Sequence, residues 1–179
     1  MIKTIATDLP GVLIVEPQLF IDERGRFVET YREETYRAAG ITAPFVQDNL
    51  STSSRGTLRG LHFQRLHPQG KLVMVTRGEI FDVVVDLRRD SPTYRRWFGT
   101  QLSAESARQL WVPPGFAHGF VALSEVADVI YKVTAPYVAS DQHCVIWNDR
   151  ELAIAWPVTD PLLSQRDRSA PSLALAELP

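Results

Sequence analysis

The 179 residues include a single cysteine, Cys144, so an intramolecular disulfide framework and a thiolate-based zinc knuckle are both excluded. One thiol fits a reducing cytosol. Neither sign of charge is in surplus: 19 Lys and Arg stand against 21 Asp and Glu, a formal net charge of -2. A chain so balanced has no basic excess to neutralise a nucleic-acid backbone, and an anionic ligand must be met by cations gathered locally. Long apolar runs are missing too. The longest uncharged stretch, Gln109 to Ser124, falls short of the roughly 18 to 20 residues of a spanning helix and contains Pro113, Pro114 and His118. Met1-Ile2-Lys3-Thr4 leads into no apolar core of a signal peptide. Together these absences predict a cytoplasmic chain that engages neither membrane nor nucleic acid.

Helical signals are equally scarce. Tyr31 to Ala39, closed by Gly40 at a capping position, predicts one short helix, and a further turn is expected between Leu162 and Arg168 behind Pro161. What the chain does have is punctuation and alternation. Twelve Pro and ten Gly are scattered rather than pooled, which reads as many short elements separated by turns. Phe81, Val83, Val85 and Leu87 alternate with Asp82, Val84 and Asp86, predicting a strand whose first set faces a dry core and whose carboxylates lie opposite. Leu72 to Val75 predicts a second strand, with Arg77-Gly78-Glu79 as the turn folding the two into a hairpin. Asp128 to Thr134 and His143 to Trp147 add further short runs. The expectation is an all-β sandwich or barrel forming one domain over residues 1–179, with a small aliphatic tail from Ser169 to Pro179 that packs on the surface or frays.

Three segments could carry chemistry. In Leu58-Arg59-Gly60-Leu61-His62-Phe63-Gln64, an extended strand places Arg59, Leu61 and Phe63 on one side and Leu58, Gly60, His62 and Gln64 on the other, with Gly60 opening space for a ligand beside His62. Pro113-Pro114-Gly115-Phe116-Ala117-His118 sets a histidine just after a turn, and Tyr131-Lys132 sits on a strand. Taken singly, each has an ordinary explanation: an imidazole satisfied by a carbonyl, turn chemistry, and a core tyrosine beside an exposed lysine.

Taken together, the Gly60, His62 and Gln64 segment and the Pro113, Gly115 and His118 pattern resemble the two half-motifs of the cupin superfamily. More narrowly, Asp22-Glu23-Arg24-Gly25, Gln47-Asp48-Asn49, Leu58 to Gln64, Gln69-Gly70-Lys71-Leu72, Asp82 to Asp86, Gly115 to Phe120, Tyr131-Lys132, Ile146-Trp147-Asn148-Asp149 and Leu163-Ser164-Gln165-Arg166-Asp167 resemble the dTDP-4-dehydrorhamnose 3,5-epimerase family, in consistent order from about residue 10 to about residue 170. The resemblance implies a cupin double-stranded β-helix, a jelly-roll barrel with a few short peripheral helices and a site in the barrel mouth. It also implies a homodimer. Metal cupins gather three imidazoles and a carboxylate on one ion; here Gln64 replaces an imidazole and Lys71 stands where a carboxylate is expected, so a metal-free site without a cofactor is expected.

By the same resemblance the substrate is a dTDP-4-keto-6-deoxyhexose, whose ketone acidifies the C–H bonds at C3 and C5. His62 is then the base, Asp167 its carboxylate partner, Lys71 the stabiliser of the enolate oxygen, and Tyr131 the acid on the opposite face, its phenol pKa lowered by a nearby cation. His118, at the barrel mouth, binds the sugar. Arg24 and Arg59 match phosphate-binding arginines, and Glu29, Gln47 and Asn49 match nucleotide contacts reaching in from the partner subunit. Phe20 and Phe27 offer aromatic faces for which core packing is the competing explanation. Two positions depart from the pattern: Gln142 stands where Glu is frequent and Arg166 where Lys is common, which bears on the sugar's pose and on regiochemistry. The alternatives are an epimerase acting at C3 only or C5 only, a metal-dependent cupin oxygenase, and a non-catalytic sugar-nucleotide binding module.

Overall fold

The computed structural model describes residues 2–179 as two antiparallel sheets packed face to face, with a small separate hairpin. The six-stranded sheet runs in the order Ile2–Ala6 (β1), Leu13–Pro17 (β2), Gln109–Val112 (β10), Lys71–Arg77 (β7), Val126–Val133 (β12) and Gln47–Ser54 (β5). Opposite it lie Gln142–Cys144 (β13), Leu58–Gln64 (β6), Phe116–Ala122 (β11), Glu79–Asp86 (β8) and Trp97–Ser103 (β9). Leu19–Asp22 (β3) and Gly25–Val28 (β4) pair only with each other. Among the described residues α-helix is confined to Glu33–Ala38 (α1), ended by Gly40 at φ +91°, and to Gln165–Arg168 (α2), with one 3-10 turn at Ala139–Asp141. This is the expected all-β cupin barrel with two short peripheral helices.

Register decides which side chains face inward. Tyr131 lies opposite Asn49 on one side and Val73 on the other, and Val133 lies opposite Gln47 and Lys71, so these residues share one face of the six-stranded sheet. On the facing sheet His118 lies opposite both His62 and Val84, and Phe120 opposite Asp82. The inner faces meet in a core that joins Val73, Val75, Leu110 and Val129 to Ile80, Val84, Phe116 and Phe120. In β8, therefore, the Asp82 and Val84 face is the barrel interior, the reverse of the expectation. Phe81, Val83 and Val85 look outward, and Leu152, Trp156, Leu173 and Leu178 cover them. Alternation shows that two faces differ; it does not say which is the core when both are buried. The chain beyond Ser169 is thus neither surface packing nor frayed: it lids this sheet, with the Leu173 N–H donating to Asp149 at 2.8 Å.

The hairpin expected at Arg77-Gly78-Glu79 does not form. Gly78 makes the turn at φ +76°, but β7 pairs with β10 and β12 while β8 pairs with β9 and β11, so the chain crosses there from one sheet to the other. Buried carboxylates hold the loops. Asp86 accepts from Arg88, Ser91 and Thr93, and Asp141 accepts from the N–H groups of Arg65, Leu66 and His67. Burial works against ionisation of Asp86, yet the hydrogen bonds from Arg88, Ser91 and Thr93 prevail and draw its carboxyl down to about 2.

Strand β6 carries the local irregularity that shapes the interior. Its pairing with β11 shifts between His118 opposite His62 and Phe120 opposite Arg59, so three residue steps on β6 face two on β11. The extra residue reverses the alternation, and Arg59 points to the same interior as His62 rather than to the opposite side. Gly60, at φ +137°, makes the bulge possible: a Cβ there would lie 2.6 Å from the Gly119 Cα and 3.0 Å from the His118 carbonyl oxygen. The room left by its missing side chain belongs to the neighbouring backbone, not to a ligand. Gly60→Ala should cost about 3 kcal/mol in urea unfolding, combining overpacking with an unfavourable φ. Gly56→Ala, at φ +79° with nothing within 4 Å, should cost about 1 kcal/mol. Equal losses would show that the approach to Gly119 is not the constraint.

Candidate active site

The two sheets enclose a cavity of about 420 Å³ lined from β5, β6, β7, β11, β12, β13 and α2. His62 enters from β6 and meets a residue 105 positions later: its Nε2 lies 2.5 Å from Asp167 Oδ1. The Leu58 N–H bonds the Leu162 carbonyl, laying the segment before α2 along the start of β6. Ser164 then caps the helix, its Oγ accepting from the Asp167 N–H at 3.1 Å and donating to Asp167 Oδ2 at 2.9 Å. Both carboxylate oxygens are thereby fixed. Burial pushes the Asp167 carboxyl up, but the bonds from His62, Ser164 and the Gly60 N–H outweigh it and hold it below its ordinary value. With Nε2–H donated to a charged carboxylate, the imidazole keeps its lone pair on Nδ1.

Across the cavity stand Lys71 and Tyr131, from the other sheet. Burial lowers the Lys71 ammonium from 10.5 to about 8, against the opposing attraction of Asp82. At pH 7 it is still about nine-tenths protonated. Tyr131 is displaced upward, chiefly by burial; the Arg59 charge works the other way but does not prevail, so the lowered phenol pKa expected from the sequence is not found. The phenol holds its proton at neutral pH. His118 is also placed differently from expectation. Only 8% of its side chain is exposed, and its Nε2 lies 2.9 Å from both oxygens of the fully buried Asp82. It forms a second histidine–aspartate pair inside the barrel rather than at its mouth.

The rim is polar. The Arg59 Nε donates to Ser53 Oγ at 3.0 Å and its Nη2 to the Thr52 carbonyl. Gln47 Nε2 donates to Asn49 Oδ1, and Gln47 Oε1 accepts from the Tyr137 N–H. Gln142 Oε1 accepts from Tyr137 Oη at 2.6 Å and from Arg166 Nη1 at 2.8 Å. The two positions that depart from the family pattern thus bond to each other.

Ten of the residues singled out in the sequence line this one cavity: His62, Lys71, Tyr131 and Asp167, with Gln47, Asn49, Arg59, His118, Gln142 and Arg166 around them. Gln47 and Asn49 line the cavity of their own chain. Arg24 and Glu29 stand outside. Arg24, at the tip of the β3–β4 hairpin, pairs with Asp22, and Glu29 pairs with Arg32 beside the exposed rings of Phe20 and Phe27. Gln64 is buried and its amide is consumed by structure, donating to the His67 and Pro136 carbonyls and accepting from the Val138 N–H. Among the described residues no three His, Cys, Asp or Glu side chains gather so as to hold a metal ion.

Sequence reading assigned no role to Ser51, Gln69, Asp82, Phe120, Tyr137 or Ser164. Two of these had a signal. Ser51 continues the two-residue step from Gln47 and Asn49, and its Oγ is the one buried side-chain polar atom without a partner among the described residues. Ser164 begins a Ser-x-x-Asp capping pattern. Tyr137 lies in a loop that no periodicity marks.

Comparison with known proteins gives concordant results. The family model described as dTDP-4-dehydrorhamnose 3,5-epimerase matches residues 6–175. A Pseudomonas aeruginosa protein of that name is 51% identical over 177 residues, covering 98% of each chain. The crystal structure of the Bacillus anthracis enzyme of that name, with TDP and pyrophosphate bound, is 50% identical with a TM-score of 0.95, covering 97% of this chain and 100% of that one. A Legionella pneumophila dTDP-6-deoxy-D-glucose-3,5-epimerase in complex with dTDP-4-keto-L-rhamnose is 46% identical with a TM-score of 0.95, covering 98% and 94% of the two chains.

Lys71 makes the cavity expensive to build. Below about pH 8 both the folded and unfolded chains carry the charge, and burying it costs the fold up to about 3 kcal/mol. Between about 8 and 10.5 the unfolded state binds more protons, so stability rises with pH and the cost disappears. Lys71→Met should therefore be more stable than the native chain at pH 7 and lose that advantage by about pH 10, as read by urea unfolding at both values. A difference that does not vary with pH would contradict the assignment.

Proposed function

The chain belongs to the dTDP-4-dehydrorhamnose 3,5-epimerase family, and on that premise we propose how its cavity carries out the family's reaction. The reaction is the epimerisation at C3 and C5 of dTDP-4-dehydro-6-deoxy-D-glucose to dTDP-4-dehydro-L-rhamnose, a step of dTDP-L-rhamnose biosynthesis. The observation that carries the assignment of roles is the placement of an activated imidazole and a protonated phenol on opposite sheets of one cavity. Inversion at carbon needs this separation: a proton leaves from one face of the sugar and another arrives from the other face.

His62 takes the proton from the carbon beside the C4 ketone, using the Nδ1 lone pair. Asp167 fixes the tautomer and stabilises the imidazolium that forms. Electrons from the broken C–H bond move into the C4 carbonyl, giving an enolate whose oxygen faces the Lys71 ammonium. A charge held in a poorly hydrated wall acts on that oxygen far more strongly than it would in water. Tyr131 then delivers its proton to carbon from the opposite face, and the enolate collapses to the ketone. Once His62 has released its proton to solvent and Tyr131 has regained one from it, repetition at the second carbon completes the conversion. The substrate's own ketone is the electron sink, so this chemistry calls for no cofactor and no metal.

Arg59 and Arg166 grip the diphosphate, while Gln47, Asn49, Gln142 and His118 orient nucleotide and sugar. Arg24 and Glu29 reach the nucleotide of a second copy in a homodimer. That assembly is supported by the β3–β4 hairpin, whose Phe20, Ile21 and Phe27 are 52%, 76% and 67% exposed and lack a cover within the chain. Residues 1–179 act as one domain of a cytoplasmic enzyme, a location in keeping with the single free thiol of Cys144.

Incubation with dTDP-4-keto-6-deoxyglucose in deuterium oxide should place label at both C3 and C5; label at one carbon only selects a mono-epimerase, and label at neither rejects the reaction. His62→Asn should lower exchange at both carbons by at least about 100-fold. Tyr131→Phe should depress net inversion more than initial proton loss, and equal effects would remove the tyrosine from its role.

A further inference from the structure

A chain of hydrogen bonds runs around the cavity rim and joins the two sheets. It passes from Asn49 to Gln47 on β5, through the backbone N–H and then the hydroxyl of Tyr137, to Gln142 on β13 and Arg166 on α2. Arg166 is gripped twice, its Nη1 at 2.8 Å from Gln142 Oε1 and its Nη2 at 3.2 Å from the Gln142 carbonyl. Every acceptor in that grip is a neutral oxygen. The same holds for Arg59, which bonds only Ser53 Oγ and the Thr52 carbonyl. Outside the cavity, Arg24, Arg65, Arg88 and Arg95 by contrast each hold a carboxylate, although Arg26 also bonds a neutral carbonyl, that of Glu105. Within it, the carboxylates of Asp167 and Asp82 are engaged by His62 and His118. Two guanidinium groups therefore face the cavity ordered but without a carboxylate partner.

We propose that Gln142 sets the affinity of this cavity for a nucleoside diphosphate, because its neutral amide orders Arg166 and Tyr137 without cancelling the guanidinium charge. The inference deepens the epimerase reading and rests on it. A carboxylate at this position could accept the same two hydrogen bonds with the same reach, but it would form an ion pair with Arg166. A phosphoryl group would then have to compete with a built-in anion for the same donors. Gln142 thus acts as a positioning residue whose missing charge matters more than its bonds.

The two contributions separate by substitution. Gln142→Glu keeps the acceptors and adds a charge, whereas Gln142→Met removes the acceptors and stays neutral. Titration calorimetry of the full chain with dTDP should show roughly tenfold weaker binding in the Glu variant and a loss of no more than about threefold in the Met variant. The Glu variant should also show a shallower decline of affinity with salt, since one fewer exposed cation is available to the phosphates. In steady-state assays its KM should rise by more than its kcat falls. Wild-type affinity for dTDP in the Glu variant overturns the proposal. So does an equal loss in both variants, which would make Gln142 a structural clasp only. A native chain that does not bind dTDP at all would instead overturn the epimerase reading, and this inference with it.

Discussion

The close passage of β6 over β11, where the Gly60 and Gly119 backbones meet without a side chain between them, is the contact on which the site depends. Without the bulge, strict alternation would turn either Arg59 or His62 out of the barrel. With it, one short strand delivers both a guanidinium and an imidazole to the cavity, while Leu61 and Phe63 remain in the outer core. His118 and Phe120 enter from the facing positions of β11, so the irregularity organises two strands at once. A glycine pair that packs nothing of its own thereby decides where four other side chains point.

The rest of the barrel supports a cavity that is unfavourable in itself. Lys71 is buried as an ammonium, Asp82 is fully buried, and Ser51 keeps a hydroxyl without a partner. Each of these opposes folding. Offsetting them is a core on both faces of the five-stranded sheet and a set of aspartates whose lone pairs are filled by loop N–H groups or by Arg88, Ser91 and Thr93. The division is spatial: saturated carboxylates lie in the loops, where they stabilise, and the lysine lies in the cavity, where its charge can act on a substrate.

Much of this arrangement could be read from the residues. Alternation in β8 and β12 and the scarcity of helix led to an all-β sandwich or barrel, and ten residues marked by the family resemblance, drawn from seven elements, converge on one cavity. What escaped had a common physical origin. Period-two alternation carries no sign, so the interior face of β8 was assigned backwards once the residues beyond Ser169 supplied a second core. A bulge breaks the period at one residue without leaving a compositional trace, so Arg59 was placed on the wrong side. Gly78 marked a turn correctly, but a turn does not determine whether the strands it joins pair or part. The rim network escaped because Tyr137 and Gln142 are linked through side-chain atoms, and no spacing rule describes that.

The distance along the chain between His62 and its carboxylate partner also governs when the cavity can be complete. The imidazole is synthesised early; Asp167, Ser164 and the residues that lid the sheet behind β6 come 100 or so positions later. A chain translated only through its first twelve strands contains His62, Lys71 and Tyr131, yet its imidazole lacks its carboxylate and the outer face of β6 lacks its cover. The cavity wall and the cover behind it are therefore completed together, by the last segment of the chain. Timing, in this molecule, is written into sequence separation.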